Sequence, residues 1–275
     1  KDYEIFMDSF DPGLQSNQLL NKNMSLKAFE TIAKYDICIA NYFGKEVGDE
    51  RFPKYYALTK INDLRYGENP HQKSAIYSQN KNFGINKIHG KQLSYNNYND
   101  IFAALTISKS FPKNIGTVII KHTNPCGVSI HKNSLDSYKS ALSCDPTSAF
   151  GGIVSCNFKI DKILAIELNK IFLEVIVANG FDKNAVRILK SKKNLRLIDA
   201  SDFSLNEVLK FNSINNSILL QSEDKQIFSK KSFKVVSKKK PNKSQLDNLI
   251  FAFNICRYVK SNAIVLACNK STVGI

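Results

Sequence analysis

The chain has 275 residues, 43% of them hydrophobic and 23% charged, which is the balance of a globular protein with room for one large domain or two smaller ones. Its net charge of +15 invites nucleic acid, yet only five of the 39 basic residues are arginine (Arg51, Arg65, Arg187, Arg196 and Arg257), the side chain suited to bidentate phosphate and base contacts. No window reaches the ~18 apolar residues of a membrane span and the start, Lys1-Asp2-Tyr3-Glu4, lacks the apolar stretch of a signal peptide, so no nucleic acid and no membrane partner is expected and the cytoplasm is the expected compartment.

In chain order, residues 1–23 carry only weak amphipathic signals. Residues 24–43 place Leu26, Phe29, Ile32, Ala33, Ile37 and Ala40 at helical spacing. Gly44 and the charged stretch to Pro53 read as a linker. Residues 1–60 are therefore expected to be the tail of something, too small to hold a core of their own. From Ile61 strands and helices alternate. Strands are predicted at 75–77, 117–121, 152–156, 174–178, 196–198, 218–221 and 263–267. Helices are predicted at 100–111, 134–142, 161–172, 183–190 and 245–259, the last with Ser244 as N-cap and Asp247 three residues on. This alternation implies an α/β domain, a mixed sheet with helices on its faces. The lysine-rich stretch 228–242 divides it into a larger part, 61–232, and a second part, 233–275. The last residues, Thr272 to Ile275, read as a strand running into a turn, and Lys1 is not methionine. The chain is therefore expected to be a fragment or a processed product that continues at its C-terminal end.

The six cysteines, Cys38, Cys126, Cys144, Cys156, Cys256 and Cys268, form no C-x-x-C pair. Cys38, Cys156 and Cys256 lie in apolar runs, so the set reads as reduced and mostly buried.

The candidate chemistry is concentrated in a few short segments. Val118-Ile119-Ile120 is a β-branched run that ends abruptly in Lys121-His122, before a Pro/Gly-containing turn, Thr123-Asn124-Pro125-Cys126-Gly127. A lysine beside a histidine sets a fixed positive charge next to a proton-exchanging group, at the point where a strand leaves a sheet. A surface lysine beside a capping histidine is the plainer reading. Leu64 to Gln72 gathers a guanidinium (Arg65), a phenol (Tyr66), an amide and an imidazole (His71) in one loop. Arg65 can grip a phosphate or carboxamide oxygen and Tyr66 can cover a ring or donate a hydrogen bond; a polar structural turn is the alternative. In Asp145-Pro146-Thr147-Ser148-Ala149-Phe150-Gly151-Gly152, small residues let backbone amides approach a ligand, although no Walker or dinucleotide pattern is present. Glu174 opens one predicted strand and Asn262 precedes another; each is either an ordinary residue at the start of an element or one that points a polar group into a shared cleft. A zinc hydrolase lacks its pattern: three residues beyond Cys126 stands Ser129, and no H-x-E precedes it. A Cys126 nucleophile paired with His122 has no evident third orienting group.

Taken together, 64–72, Leu93-Ser94-Tyr95-Asn96-Asn97, 120–127, 145–154, 174–178 and 259–265 occur in the order found in the bifunctional AICAR transformylase/IMP cyclohydrolase family of purine synthesis, which the chain resembles over essentially its whole length. The resemblance implies a cytidine-deaminase-like transformylase fold, preceded by a short helical tail of the cyclohydrolase domain (1–60). It implies formyl transfer from 10-formyltetrahydrofolate, as co-substrate, to the amine of AICAR, with no metal required, and IMP cyclohydrolase activity in the intact protein. By resemblance His122 is the proton acceptor and Lys121 the oxyanion stabiliser. Arg65, Tyr66, Gly151 and Glu174 match AICAR-contacting positions, and Asn262 a polar residue near the nucleotide and the formyl group. A homodimer with sites near the subunit boundary is also implied. The family's Gly-rich folate-site segment and its cyclohydrolase lysine lie outside these residues, so the 275 residues alone are expected to lack both activities. A metal-dependent, deaminase-like nucleotide hydrolase is the competing enzyme class.

Overall fold

A computed structural model of the protein describes residues 2–9, 18–48, 55–79, 83–205, 209–224 and 226–275. The chain forms two units, Lys1–Ile61 with Tyr77–Lys81, and Asn62–Ile76 with Asn82–Ile275.

The smaller unit contains α1 (Tyr3–Asp8) and a 30-residue helix, α2 (Gln18–Val47). The helix is longer than its apolar spacing predicted. Gly44 lies inside it rather than in a linker, because one glycine weakens a helix by only about 1 kcal/mol. Gly48, at φ +65°, ends it in the left-handed conformation that glycine adopts most easily. Lys27 pairs with Asp2 at 2.8 Å, and Asn41 donates to the Tyr55 carbonyl at 3.1 Å. Residues 49–54, most of the expected linker, lie outside the described residues.

β1 (Thr59–Asp63) and β2 (Ala75–Ser78) form a two-stranded ribbon. Then follow β3 (Asn86–His89), α3 (Tyr95–Lys109), β4 (Gly116–Lys121), β5 (Asn124–Ile130), α4 (Ser134–Leu142), the single turn α5 (Pro146–Ala149), β6 (Ile153–Cys156), α6 (Lys162–Leu168), β7 (Val175–Ala178), α7 (Lys183–Leu189) and β8 (Arg196–Asp199). A second hairpin, β9 (Leu209–Ile214) with β10 (Ser217–Ser222), precedes α8 (Lys243–Cys256), β11 (Leu266–Cys268) and β12 (Ser271–Gly274).

Eight strands make one sheet in the order β11-β12-β5-β4-β6-β7-β8-β3. β6, β7 and β8 run parallel and the other pairings are antiparallel, so the sheet is mixed as expected. Both faces are covered, which is why the central strands read as mainly apolar runs rather than alternating ones. Ile119, Val154, Ile176 and Leu197 pack with Tyr138 and Ala141 of α4, Leu164 and Leu168 of α6 and Leu189 of α7. Their strand neighbours Val118, Ile120, Val175, Val177 and Ile198 point the other way, onto Ile101, Ala104 and Leu105 of α3 and Phe251 and Ile255 of α8. The alternation follows from the two-residue period of a strand.

Several local readings are corrected. The segment 124–127 is not a turn but the start of β5. The register slips between Ile119 and Ile120, leaving Cys126 as the extra residue of a bulge, where Pro125 is tolerated in a strand. Gly127 is required there because a Cβ would lie 1.9 Å from the Ala141 carbonyl oxygen, where α4 crosses β5. α8 is capped by Asn242 and not by Ser244: Asn242 accepts from the Gln245 amide at 2.9 Å, and the Gln245 side chain accepts from the Asn242 amide at 3.0 Å. The strand expected at 263–267 is shorter and begins at Leu266, where pairing with β12 starts. The helix expected to reach 172 ends at Leu168, its N-cap being Asp161, whose carboxylate accepts from the Leu164 amide. All six cysteines are free, but of the three in apolar runs only Cys156 is buried; Cys38 is exposed and Cys256 intermediate. Apolar neighbours in sequence do not bury a thiol on a helix whose own side chains stay exposed.

Candidate active site

The site lies along one edge of the sheet in the larger unit. β4 runs antiparallel to β6, so its last residue, Lys121, meets the strand starts of the parallel block. Gly151 and Gly152 precede β6, Glu174 precedes β7 and Arg196 opens β8, with Ile153, Val175 and Arg196 in register across the three strands. Neighbouring strands are about 4.8 Å apart, so the row of Lys121, Gly151, Glu174 and Arg196 spans roughly 14 Å. The usual ligand position in open α/β sheets is at the carboxyl ends of parallel strands. Here only β4 follows that rule, and the parallel block presents its amino ends.

Lys121 pairs with Asn124, which leaves His122 and Thr123 as a two-residue hairpin loop. Both have positive φ, +53° and +62°. That is the pattern of a type I′ turn, normally filled by Asn-Gly. Non-glycine residues there cost about 1–2 kcal/mol each, more readily accepted at a functional position than elsewhere. The turn is clamped from two sides. The Thr123 amide donates to Asp100 of α3 at 2.6 Å. Lys260 donates from Nζ to the His122 carbonyl and from its backbone to the Asn124 side chain, both at 3.1 Å. The imidazole of His122 is left exposed.

The Lys121 ammonium donates to the Phe150 carbonyl at 2.6 Å. Gly151 follows at φ +69°, its amide donating to the Phe172 carbonyl at 2.8 Å. A Cβ on Gly151 would stand 3.1 Å from Lys121 Nζ and 3.4 Å from the Phe172 ring, so a glycine keeps room for the ammonium. The Phe150 and Phe172 rings pack at 5.3 Å beside it.

Glu174 is oriented by two donors: Asn97 Nδ2 at 2.9 Å, and Arg196 Nη1, an ion pair at 3.6 Å. Arg196 also donates from Nε to the Gln92 carbonyl at 3.3 Å. Burial holds its guanidinium below its ordinary pKa; Glu174 pulls it back up, Arg65 pushes it down and Tyr66 raises it. Arg65 and Tyr66 therefore lie within electrostatic reach of Arg196, and the Arg65 guanidinium carbon sits 5.2 Å from the Tyr66 ring centroid. Their loop is closed by Leu64 donating to Ser74 O at 2.9 Å and Gly67 to Gln72 O at 2.9 Å, and Asn96 donates to the Glu68 carbonyl at 3.3 Å. Asp100 has a raised pKa. Burial lifts it, the backbone amides of Thr123 and His122 and the His122 imidazole oppose that, and Glu174 adds to it.

Lys121, His122, Gly151 and Glu174 are thus adjacent, with Arg65 and Tyr66 joined to them through Arg196. Asn262 is exposed and lies two residues after Lys260, which bonds the turn. Asn97, Asp100, Arg196 and Lys260 were not singled out from the sequence. Asn97 falls in the segment 93–97, and its place three residues after Ser94 is a capping signal; the helix predicted at 100–111 starts at Tyr95 instead, which puts Asp100 in the second turn of α3. Lys260 likewise falls in the shared segment 259–265, whereas Arg196 opens a predicted strand with no motif around it.

The arrangement supplies an ammonium, an exposed imidazole, an oriented carboxylate and two guanidinium groups around one edge: a cation for an oxyanion, a proton acceptor, and grips for a polar, anionic substrate. Cys126 does not act as a nucleophile with His122. Its thiol, burdened first by burial and then by Asp145, is pushed up to about 12, and it donates to the Ile119 carbonyl at 3.6 Å. Among the described residues no three His, Cys, Asp or Glu side chains converge as a metal-ligand set, which leaves the deaminase-like alternative without a site there. A cavity of ≈ 700 Å³ lies away from this chemistry, lined by Leu246, Leu249, Ile250, Val265, Leu266 and Val273. Its lining holds none of the proton-transfer groups above, so the side-chain constellation and not the cavity locates the site. No helix among the described residues is long and apolar enough to cross a membrane.

A family model described as the AICARFT/IMPCHase bienzyme matches residues 1–275. The bifunctional purine biosynthesis protein PurH of Acetivibrio thermocellus is 40% identical over 262 residues, covering 92% of this chain and 51% of that protein. PurH of Persephonella marina is 42% identical over 265 residues, with 92% and 51% covered. PurH of a Thermoanaerobacter species is 40% identical over 281 residues, with 100% and 55% covered. The chain spans about half the length of the curated relatives it matches.

Proposed function

Because the chain belongs to the AICARFT/IMPCHase bienzyme family, we propose that its larger unit carries the formyl-transfer half of purine synthesis, moving the formyl group of 10-formyltetrahydrofolate to the amine of AICAR. The single observation that supports this reading most is the left-handed His122–Thr123 turn, which leaves His122 exposed directly after Lys121, whose ammonium bonds Phe150 O beside Gly151.

The AICAR amine is conjugated with its carboxamide and is a weak nucleophile. As its nitrogen attacks the formyl carbon, His122 accepts its proton. Lys121, with one N–H on Phe150 O, has further donors for the oxyanion of the tetrahedral intermediate. Collapse breaks the bond to the folate nitrogen, which leaves carrying the proton that His122 took from the amine. Arg65 and Tyr66 grip and cover the nucleotide, Gly151 keeps its backbone open to it, and Glu174 accepts from amide or hydroxyl groups. Asn262 serves between nucleotide and formyl group. No step needs a metal. IMP cyclohydrolase activity belongs to the intact protein, with 1–60 as the tail of that domain, 61–232 as the first part of the transformylase and 233–275 as the start of its second part. The protein works in the cytoplasm as a homodimer.

His122→Ala, assayed in the protein as its gene encodes it, is expected to lower formyl transfer by about 10²–10⁴ while AICAR binding by calorimetry stays within a few-fold. Loss of binding with the chemical step unchanged would overturn the assignment of the base.

A further inference from the structure

We infer that Asn97 and Asp100 of α3 are positioning residues that hold the two halves of this site, the His122 turn and the Glu174 carboxylate, in one fixed relation. The inference rests on the function proposed above.

The two side chains are three residues apart and so emerge on one face of the helix, a turn from each other. Asn97 is buried, and its amide cannot rotate freely. Its Oδ1 accepts from the Ser94 backbone amide at 3.2 Å while the Asn97 backbone amide donates to Ser94 Oγ at 3.2 Å, closing the helix cap. That leaves Nδ2 directed at Glu174 Oε2, 2.9 Å away. The cap and the grip on Glu174 therefore use opposite ends of one side chain.

Asp100 does the corresponding work on the turn. Its carboxylate takes the Thr123 amide at 2.6 Å, a short charge-assisted bond. The amide it takes belongs to one of this turn's two non-glycine residues in the left-handed region, a conformation that persists where the surrounding structure holds it. Lys260 holds the same turn by its carbonyl from the other side.

α3 itself is a rigid strut. Ile101, Ala104 and Leu105 are buried against the sheet, and Ser108 bonds Ser155 of β6 at 2.8 Å at the far end. The helix is thus a fixed base from which Asn97 holds Glu174 and Asp100 holds the His122 turn. Neither residue needs to touch substrate.

The test uses the protein as its gene encodes it, with AICAR and 10-formyltetrahydrofolate as probes. Asp100→Ala is expected to lower kcat about a hundredfold with the AICAR KM within about threefold, because the proton acceptor is misplaced while the grip remains. Asp100→Asn keeps an oxygen for the Thr123 amide and is expected to recover kcat to within about tenfold of the parent. Asn97→Ala is expected to raise the AICAR KM about tenfold with much less effect on kcat. Amide hydrogen exchange at Thr123 is expected to speed up in Asp100→Ala and not in Asn97→Ala.

Kinetic constants that fall together in all three variants, tracking only a lowered unfolding midpoint, would overturn the inference. So would Asp100→Asn as impaired as Asp100→Ala, or Thr123 exchange indifferent to Asp100. If His122→Ala retains full formyl transfer, the proposed function fails instead, and the exchange result at Thr123 still decides whether Asp100 holds the turn.

Discussion

Gly151→Ala is the sharpest single perturbation of the site, because the structure separates its two costs. The residue sits at φ +69°, where an alanine is strained by about 1–2 kcal/mol relative to glycine. The new methyl would stand 3.1 Å from Lys121 Nζ, tighter than ordinary contact, so the ammonium must retreat from its 2.6 Å bond to Phe150 O. That bond is solvent-exposed, and its weakening adds about 1 kcal/mol at most. The total, about 2 kcal/mol, corresponds to a lowering of Tm by roughly 4–8 °C in a chain of this size. The functional cost is larger than the stability cost. A shift of a catalytic ammonium by a sizeable fraction of an ångström costs about 10–100-fold in kcat. Gly180→Ala is the control: its φ is +95°, so its backbone penalty is no smaller, but the added Cβ meets only Lys159 Cγ at 3.7 Å. Thermal unfolding and formyl-transfer kinetics of both variants test the reasoning. Equal losses of kcat in Gly151→Ala and Gly180→Ala would refute it, since the Lys121 contact would then contribute nothing.

Two further outcomes are expected. Burial pushes the Cys156 thiol from 9.0 up to about 12; above pH 9.0 the unfolded chain therefore releases this proton while the folded chain keeps it, and stability falls by about 1.4 kcal/mol per pH unit toward that value. Urea unfolding at pH 8 and 10.5 should show a shallower alkaline loss in Cys156→Ala than in the parent, and identical slopes would contradict the burial of this thiol. Asn157 is buried with four bonds, accepting from the Ile115 and Gly116 amides at 3.0 and 2.8 Å and donating to Ser108 O and Pro112 O at 3.0 and 2.8 Å. Asn157→Asp turns an oxygen toward two carbonyls, costing about 3 kcal/mol or more unless it is protonated. Its raised folded pKa makes the loss grow as pH rises from about 4, so denaturant midpoints at pH 4.5 and 7.5 should diverge from the parent, and a pH-independent loss would argue against this geometry.

The strands that fill the sheet were readable because both of their faces are covered. The runs at 117–121, 152–156, 174–178 and 196–198 are built around apolar stretches (Val118-Ile119-Ile120, Ile153-Val154, Val175–Ala178 and Leu197-Ile198), and each is a strand within a residue or so of its expected ends. The helix at 134–142 was placed to the residue, with the Asn133 side chain accepting from the Leu135 and Asp136 amides just ahead of it. The strands outside the central block were less legible. β3, β5 and β12 owe their existence to a neighbour's hydrogen bonds, and in β5 a proline and a glycine disguised a bulged strand as a turn. The candidate residues Lys121, His122, Gly151 and Glu174 stand out locally by type, whereas Asp100, Asn97, Arg196 and Lys260 are ordinary polar residues until the fold sets them against those four.

From the order of residues alone came the family, the α/β class and the Lys-His pair, since each depends on neighbours along the chain or on long matches in register. Tertiary structure decided which side chains share an edge. A strand running against its parallel neighbours brings its last residue to their first ones, so Lys121, Gly151, Glu174 and Arg196 meet although 75 positions separate the first from the last. Strand direction is set by pairing energy across the whole sheet, and no local stretch of sequence carries it.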